Sequence, residues 1–235
     1  MDYSEELKGI LNGWKDTIES VVQTLNSAYE EESENFFLAY KSGINFALSS
    51  LKEISSTVSP ELTAEKDYFL GVIGYYTAEL AFNVEPKKGS ELIFKSIKNL
   101  ESAVNQFEER IAITPEEELD NQSDSEHSPM VYLMTSKIQL FASYNLAIIQ
   151  DTSTFKWMRT VKKVKALALS ILDVDSPDSD FDLLALCNLI SACKRLKEDD
   201  EADMYLDKLT ELDINPGEIP EWISPYYHDA LSLYD

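Results

Sequence analysis

Two histidines, two cysteines and 43 aspartates and glutamates are the side chains of this 235-residue sequence with reactive chemistry to offer. A histidine could act as general base or metal ligand, a thiolate as nucleophile, and paired carboxylates as acid and base. Their spacing supports none of these roles. His127 sits in an acidic stretch and His228 near the C-terminal end, and no segment carries His and Glu at metal-ligand spacing. Cys187 and Cys193 lie six residues apart in one apolar segment. On a helix they point to different faces, which suits neither a disulfide nor a metal clamp. They read as core thiols in a reducing compartment. No glycine-rich loop is present to cradle a phosphate, and with so many carboxylates any close pair follows from composition alone. No catalytic residue, no metal and no cofactor is therefore expected. Binding or scaffolding is the better class.

The charge balance narrows the partners. Against 43 acids stand 20 Lys and Arg, a formal net charge of -23 and a sequence pI near 4.3. Phosphate backbones and anionic membrane surfaces both demand the opposite balance, so neither nucleic acid nor membrane is an expected partner. The start, MDYSEELKGI, is acidic and lacks the order of a secretory signal. The longest uncharged stretch, Ile138 to Gln150, is shorter than the roughly 20 residues of a spanning helix. A cytoplasmic location is expected. Acid concentrates in two places, residues 113–128 with six acids and residues 198–235 with twelve. Between Thr152 and Leu172 the sign reverses, with Lys156, Arg159, Lys162, Lys163 and Lys165 and no acid. A basic helix in so acidic a chain is suited to receive an acidic tail or ligand.

Helices must carry these charges. Hydrophobic residues make up 44% of the chain, with only 7 Gly and 8 Pro to interrupt it. Phe37, Tyr40, Ile44, Ala47, Leu51 and Ile54 step by three or four along one stripe, as do Trp157, Val161, Val164, Ala168 and Ile171. Ser59-Pro60, Thr114-Pro115 and Ser128-Pro129 look like helix entries. The periodicity predicts helices over 3–13, 15–28, 32–57, 61–83, 89–112, 129–150, 155–173, 180–197 and 200–213, and no sheet. The expected fold is all-α, an antiparallel helical array. Residues 1–197 would form the helical domain, with 113–128 as an acidic loop insertion. Residues 198–235 would form an acidic, aromatic C-terminal extension that docks on the protein.

Two segments then carry a resemblance. Ala39-Tyr40-Lys41, followed by Ser49-Ser50 and Ile54-Ser55, is similar to the third helix of 14-3-3 proteins. Phe69-Leu70, Gly74-Tyr75-Tyr76 and Leu80 resemble a second signature of that family. Ile97–Ile111, His127 with Pro129, and Ile138–Phe141 continue the similarity in order, over roughly residues 14 to 197. The resemblance implies a helical cup, half of a dimer, whose groove holds phosphoserine or phosphothreonine peptides through a Lys, two Arg and a Tyr. Carried over position by position, the Lys matches Lys41, the arginines match Leu48 and Ala78, and the Tyr matches Glu79. The Asn that holds the peptide backbone matches Lys137. One ligand of four remains, Glu79 would repel a phosphate, and Lys137 restores one cation. The family's fourth helix is missing between Ser55 and Phe69, which removes a wall of the cup and part of the dimer contact.

The resulting expectation is an adaptor that binds segments of partner proteins, phosphorylated or not, with phosphate recognition weakened or lost. Its own tail, residues 216–235, could occupy the cup or lie against the basic helix. A homodimer is implied by the resemblance and opposed by the missing helix. The competing expectation is a tetratricopeptide-like scaffold for unphosphorylated partners, supported by the two helices and Asn-Pro between Phe181 and Pro216. Ser123, Ser125 and Ser128 stand in contexts that suit acid- and proline-directed kinases, and phosphates there would add to the acidic loop.

Overall fold

A computed structural model describes residues 3–29, 36–115, 127–150, 154–172 and 179–234. All regular structure among them is helical, and no helix is long and apolar enough to cross a membrane. The chain forms two compact units, Met1–Gln150 and Asp151–Asp235.

The first unit contains α1 (Glu5–Tyr29), α2 (Phe36–Ser56), a 3-10 turn at Pro60–Leu62, α3 (Thr63–Val84), α4 (Pro86–Ile113) and α5 (Pro129–Gln150). The central element is α3, which packs against α1, α2, α4 and α5. Its sequence explains that position. Phe69, Val72, Ile73, Ala78, Leu80 and Ala81 leave almost no side for water, so the helix is buried nearly all round. By contrast α4 is one-sided, with Ile93, Ile97, Leu100, Val104 and Phe107 buried at helical spacing. The two helices approach closely because Gly71 has no side chain, and a Cβ there would lie 2.5 Å from Leu100 Cγ. Ser96 of α4 uses the same approach to donate a hydrogen bond to the Gly71 carbonyl at 2.7 Å.

One buried charge fastens these elements. Glu65, in the first turn of α3, is 0% exposed. Arg110 in the last turn of α4 donates to both carboxylate oxygens, and the Tyr3 hydroxyl also donates to the carboxylate. Arg110 is tied to the Tyr3 oxygen at 2.8 Å as well. Burial and the adjacent carboxylate push the Tyr3 phenol far above its ordinary value.

The second unit contains α6 (Thr154–Leu169), α7 (Asp180–Leu196), α8 (Asp199–Glu211), a 3-10 turn at Pro216–Glu218 and α9 (Ser224–Ser232). Here α7 is central: every residue from Asp182 to Cys193 is buried, and α6, α8 and α9 pack on it. A capping box between Ser179 and Asp182 opens α7, and Lys197 in the left-handed region (φ 63°) closes it.

Several expectations shift. The helices expected over 3–13 and 15–28 are one continuous α1, and the tail contains the additional α9. The boundary expected after residue 197 stands where the resemblance ends and the acidic extension begins, and the compact units divide at Gln150. Contacts explain the difference, since α7 needs α6, α8 and α9 to cover its buried surface. The tail docks on α7: Arg195 donates to both Asp229 carboxylate oxygens at 2.9 Å, and Ser191 donates to the same carboxylate at 2.8 Å. Most of the expected acidic loop, residues 116–126 with Ser123 and Ser125, lies outside the described residues.

Replacing Arg110 with Met should leave Glu65 buried without its cation and cost about 3–5 kcal/mol in urea unfolding. Adding Glu65→Leu to that variant should recover most of the loss. The thiols give a second expectation. Both cysteines are free and buried, with burial pushing Cys187 up to about 12 and Cys193 up to about 11 from an ordinary 9.0. Ellman's reagent should react with neither thiol in the folded protein and with both in guanidinium. Since the raised values belong to the folded state, stability is full below pH 9 and falls as the pH rises toward them. The slope should reach about 1.4 kcal/mol per pH unit for each thiol, and Cys187→Ala should flatten it.

Candidate functional site

The positions matched to the phosphate pocket do not share one open surface. Lys41 is exposed on α2, its ammonium 5.4 Å from the centre of the Phe37 ring. Leu48, two turns further along α2, is half-buried. Ala78 is 0% exposed and belongs to the packed body of α3, so it lines no groove. Lys137 is buried at 6% exposure, and its ammonium is bound to Glu108 of α4 at 2.9 Å. The cation that the sequence seemed to restore is paired with a carboxylate whose side chain is 46% exposed. Glu79 is half-buried on α3. Burial raises its carboxyl above the ordinary value, and a hydrogen bond to Tyr75 offsets part of the rise.

Ser128 has a structural role. It is 2% exposed and its Oγ accepts from the Met130 amide at 3.3 Å, serving the start of α5 where Pro129 stands. A kinase would need this helix entry to open before it could reach the hydroxyl.

A concave site in the first unit lies elsewhere. A cavity of about 400 Å³ is walled by α1, α3 and the start of α5. Its inner wall consists of three rings in mutual edge-to-face contact: Tyr68, Phe69 and Tyr132, with centroids 5.2, 5.4 and 6.2 Å apart. Ile18 and Val131 complete the apolar lining, and Lys15, Glu19, His127 and Thr135 supply polar atoms. His127 Nδ1 lies 3.2 Å from the Tyr132 hydroxyl. Burial raises the Tyr68 phenol above its ordinary value, against a smaller opposing effect from its hydrogen bond with Thr135. The hydroxyl is therefore un-ionised at neutral pH and able to donate.

No family model, curated protein or solved structure matches this chain.

In the second unit Cys193, Glu198 and Glu201 present a thiol and two carboxylates whose ligand atoms lie within 4.8 Å of one another. That is the one group of metal-ligating type found among the described residues. It already holds a cation. Lys165 from α6 donates to Glu198 at 2.7 Å and to Glu201 at 2.6 Å. These hydrogen bonds raise the lysine's own pKa against the opposing effect of burial. The charge reversal along the sequence signalled this contact, since Lys165 belongs to the basic stretch and Glu198 opens the acidic one. Nothing in the sequence signalled the aromatic cavity beyond the adjacent Tyr68 and Phe69, because its walls meet only after α1, α3 and α5 pack.

Glu79→Gln tests the desolvated carboxylate. Because burial raises the folded-state pKa, the carboxyl's contribution is complete below its ordinary 4.5 and is lost as the pH rises through the higher folded value. The variant never ionises. It should therefore unfold at higher urea than the parent at pH 7.5, with a smaller gain at pH 5.

Proposed function

We propose that this chain is a helical adaptor that binds segments of partner proteins without requiring phosphate. Its relation to the 14-3-3 proteins is proposed on the two signatures alone. The observation that carries the reading is the fate of the matched positions: Lys137 paired with Glu108, Ala78 enclosed in α3 and Glu79 desolvated. Phosphopeptide recognition depends on several cations converging on one anion with charge-assisted hydrogen bonds. Lys41 alone supplies a point charge on an exposed helix face, where a single ion pair contributes little. A net charge of -23 further disfavours the approach of an anionic peptide and favours neutral or basic segments.

The scaffold reading draws on a separate observation. In the second unit α7 and α8 are joined by two residues and pack against each other, forming the helix pair expected between Phe181 and Pro216. A single such pair supports a protein-binding scaffold of the same functional class, and it likewise needs no phosphate.

Fluorescence-anisotropy titration with a phosphoserine peptide of the 14-3-3 ligand type, beside its unphosphorylated twin, separates the possibilities. The two peptides should bind equally or the unphosphorylated one more tightly, and Lys41→Ala should leave the ratio unchanged. A preference of about tenfold or more for the phosphopeptide, lost in Lys41→Ala, would overturn the reading.

A further inference from the structure

The cavity between α1, α3 and α5 has properties that the adaptor reading does not use. At about 400 Å³ it lies near the lower end of the range of preformed small-molecule sites, roughly 300–1,000 Å³. Eight of its nine lining residues stand on α1, α3 and α5, and His127 lies in the turn before α5. Three considerations define what fits it.

The first is shape. Tyr68, Phe69 and Tyr132 meet at interplanar angles of 72°, 68° and 64°, an edge-to-face array that lines the cavity, with Phe69 and Tyr132 largely buried and Phe107 stacked on Tyr132. A flat ring laid against them extends the array with further aromatic contact. The second is charge. Lys15 and Glu19 are four residues apart on α1, hence on the same face, and both line the cavity. Their opposite signs leave little net field to hold an ion. The third is polarity. The Tyr68 and Thr135 hydroxyls and the His127 ring lie at the cavity and can fix the orientation of one donor or acceptor on the ligand.

We propose that this cavity binds a neutral, planar aromatic small molecule of one or two fused rings carrying a single hydrogen-bonding group. The ligand lies against the wall formed by the Tyr68, Phe69 and Tyr132 rings with its polar group toward the Thr135 side. The proposal is independent of the peptide-binding reading, since it concerns a separate site and a different class of ligand.

Indole is a suitable probe, with indole-3-acetate and tryptamine as its anionic and cationic counterparts. Saturation-transfer NMR on the full chain should show saturable indole binding, tighter than that of either charged analogue. Val131 is 38% exposed on the cavity wall, so Val131→Trp fills the space without removing a core side chain. That variant should weaken indole binding by about tenfold or more. Ile149→Ser, at a 73% exposed site on the same helix outside the cavity, should leave it unchanged. Intermolecular NOEs from indole to the Tyr68 and Tyr132 ring protons provide a readout that needs no variant. Absence of saturable binding, absence of those NOEs, undiminished binding to a folded Val131→Trp protein, or a preference for either charged analogue would each overturn the proposal.

Discussion

A carboxylate with no exposed surface is the constraint around which the first unit is arranged. Glu65 is removed from water entirely, and an ionised group in that position must be matched by a cation and by enough donors. Arg110 provides the cation, and the Tyr3 hydroxyl provides another donor. The helix ends help. Glu65 occupies the first turn of α3 and Arg110 the last turn of α4, the ends where each sign is favoured by the helix dipole. The network thus fixes the register of α4 along α3 and anchors the residues preceding α1. Apolar packing alone would tolerate a sliding contact between two helices. The close approach at Gly71 and a directional buried ion pair tolerate only one.

The second unit solves a different problem, a surplus of acid, by distributing its bases individually. Lys165 bridges Glu198 and Glu201, Arg195 holds Asp229, and Lys194 pairs with Asp199 while lying 4.0 Å from the centre of the Tyr234 ring. Each cation connects α6 or α7 to a segment of the acidic C-terminal region. The acid there is consequently part of the packing of α8 and α9 around α7. These pairs are half-exposed, so their individual contributions are modest and weaken with salt. Their geometric role in orienting α8 and α9 on an otherwise apolar α7 does not depend on large energies.

Much of the helical order was legible in the chain because its signals are local. The entry Ser128-Pro129 and the uncharged run to Gln150 marked α5 at both ends. The same reasoning missed α9, although Ser224-Pro225 is an entry of the same kind. Pro216 and Pro220 nearby made the whole tail read as interrupted. The helices expected over 3–13 and 15–28 part beside Gly13, yet the buried stripe of Leu11, Trp14, Val21 and Leu25 runs straight past it. An exposed glycine costs a helix about 1 kcal/mol, which that burial outweighs. The site was less legible for a physical reason. Matching a family's positions assigns residue types, but exposure is decided by neighbours distant in sequence. Ala78 and Lys137 fall at matched positions, and packing encloses the first and neutralises the second.

These two positions also bear on what a phosphate site would need here. Removing an arginine from an open groove leaves a surface that another cation could reoccupy. Enclosing the position in a core removes the surface itself, since Ala78 lies where a long charged side chain has no room and no water. Lys137 is itself buried and already paired with Glu108, whose side chain is 46% exposed, so its charge is engaged at the edge of the packed helices. The desolvated Glu79 pushes in the same direction by opposing any anion nearby. Phosphate affinity at these positions would therefore require rebuilding the packing of α3 and α4 as well as changing the ligands. A binding function carried by this unit is better placed on shape and aromatic contact, which its packing already provides.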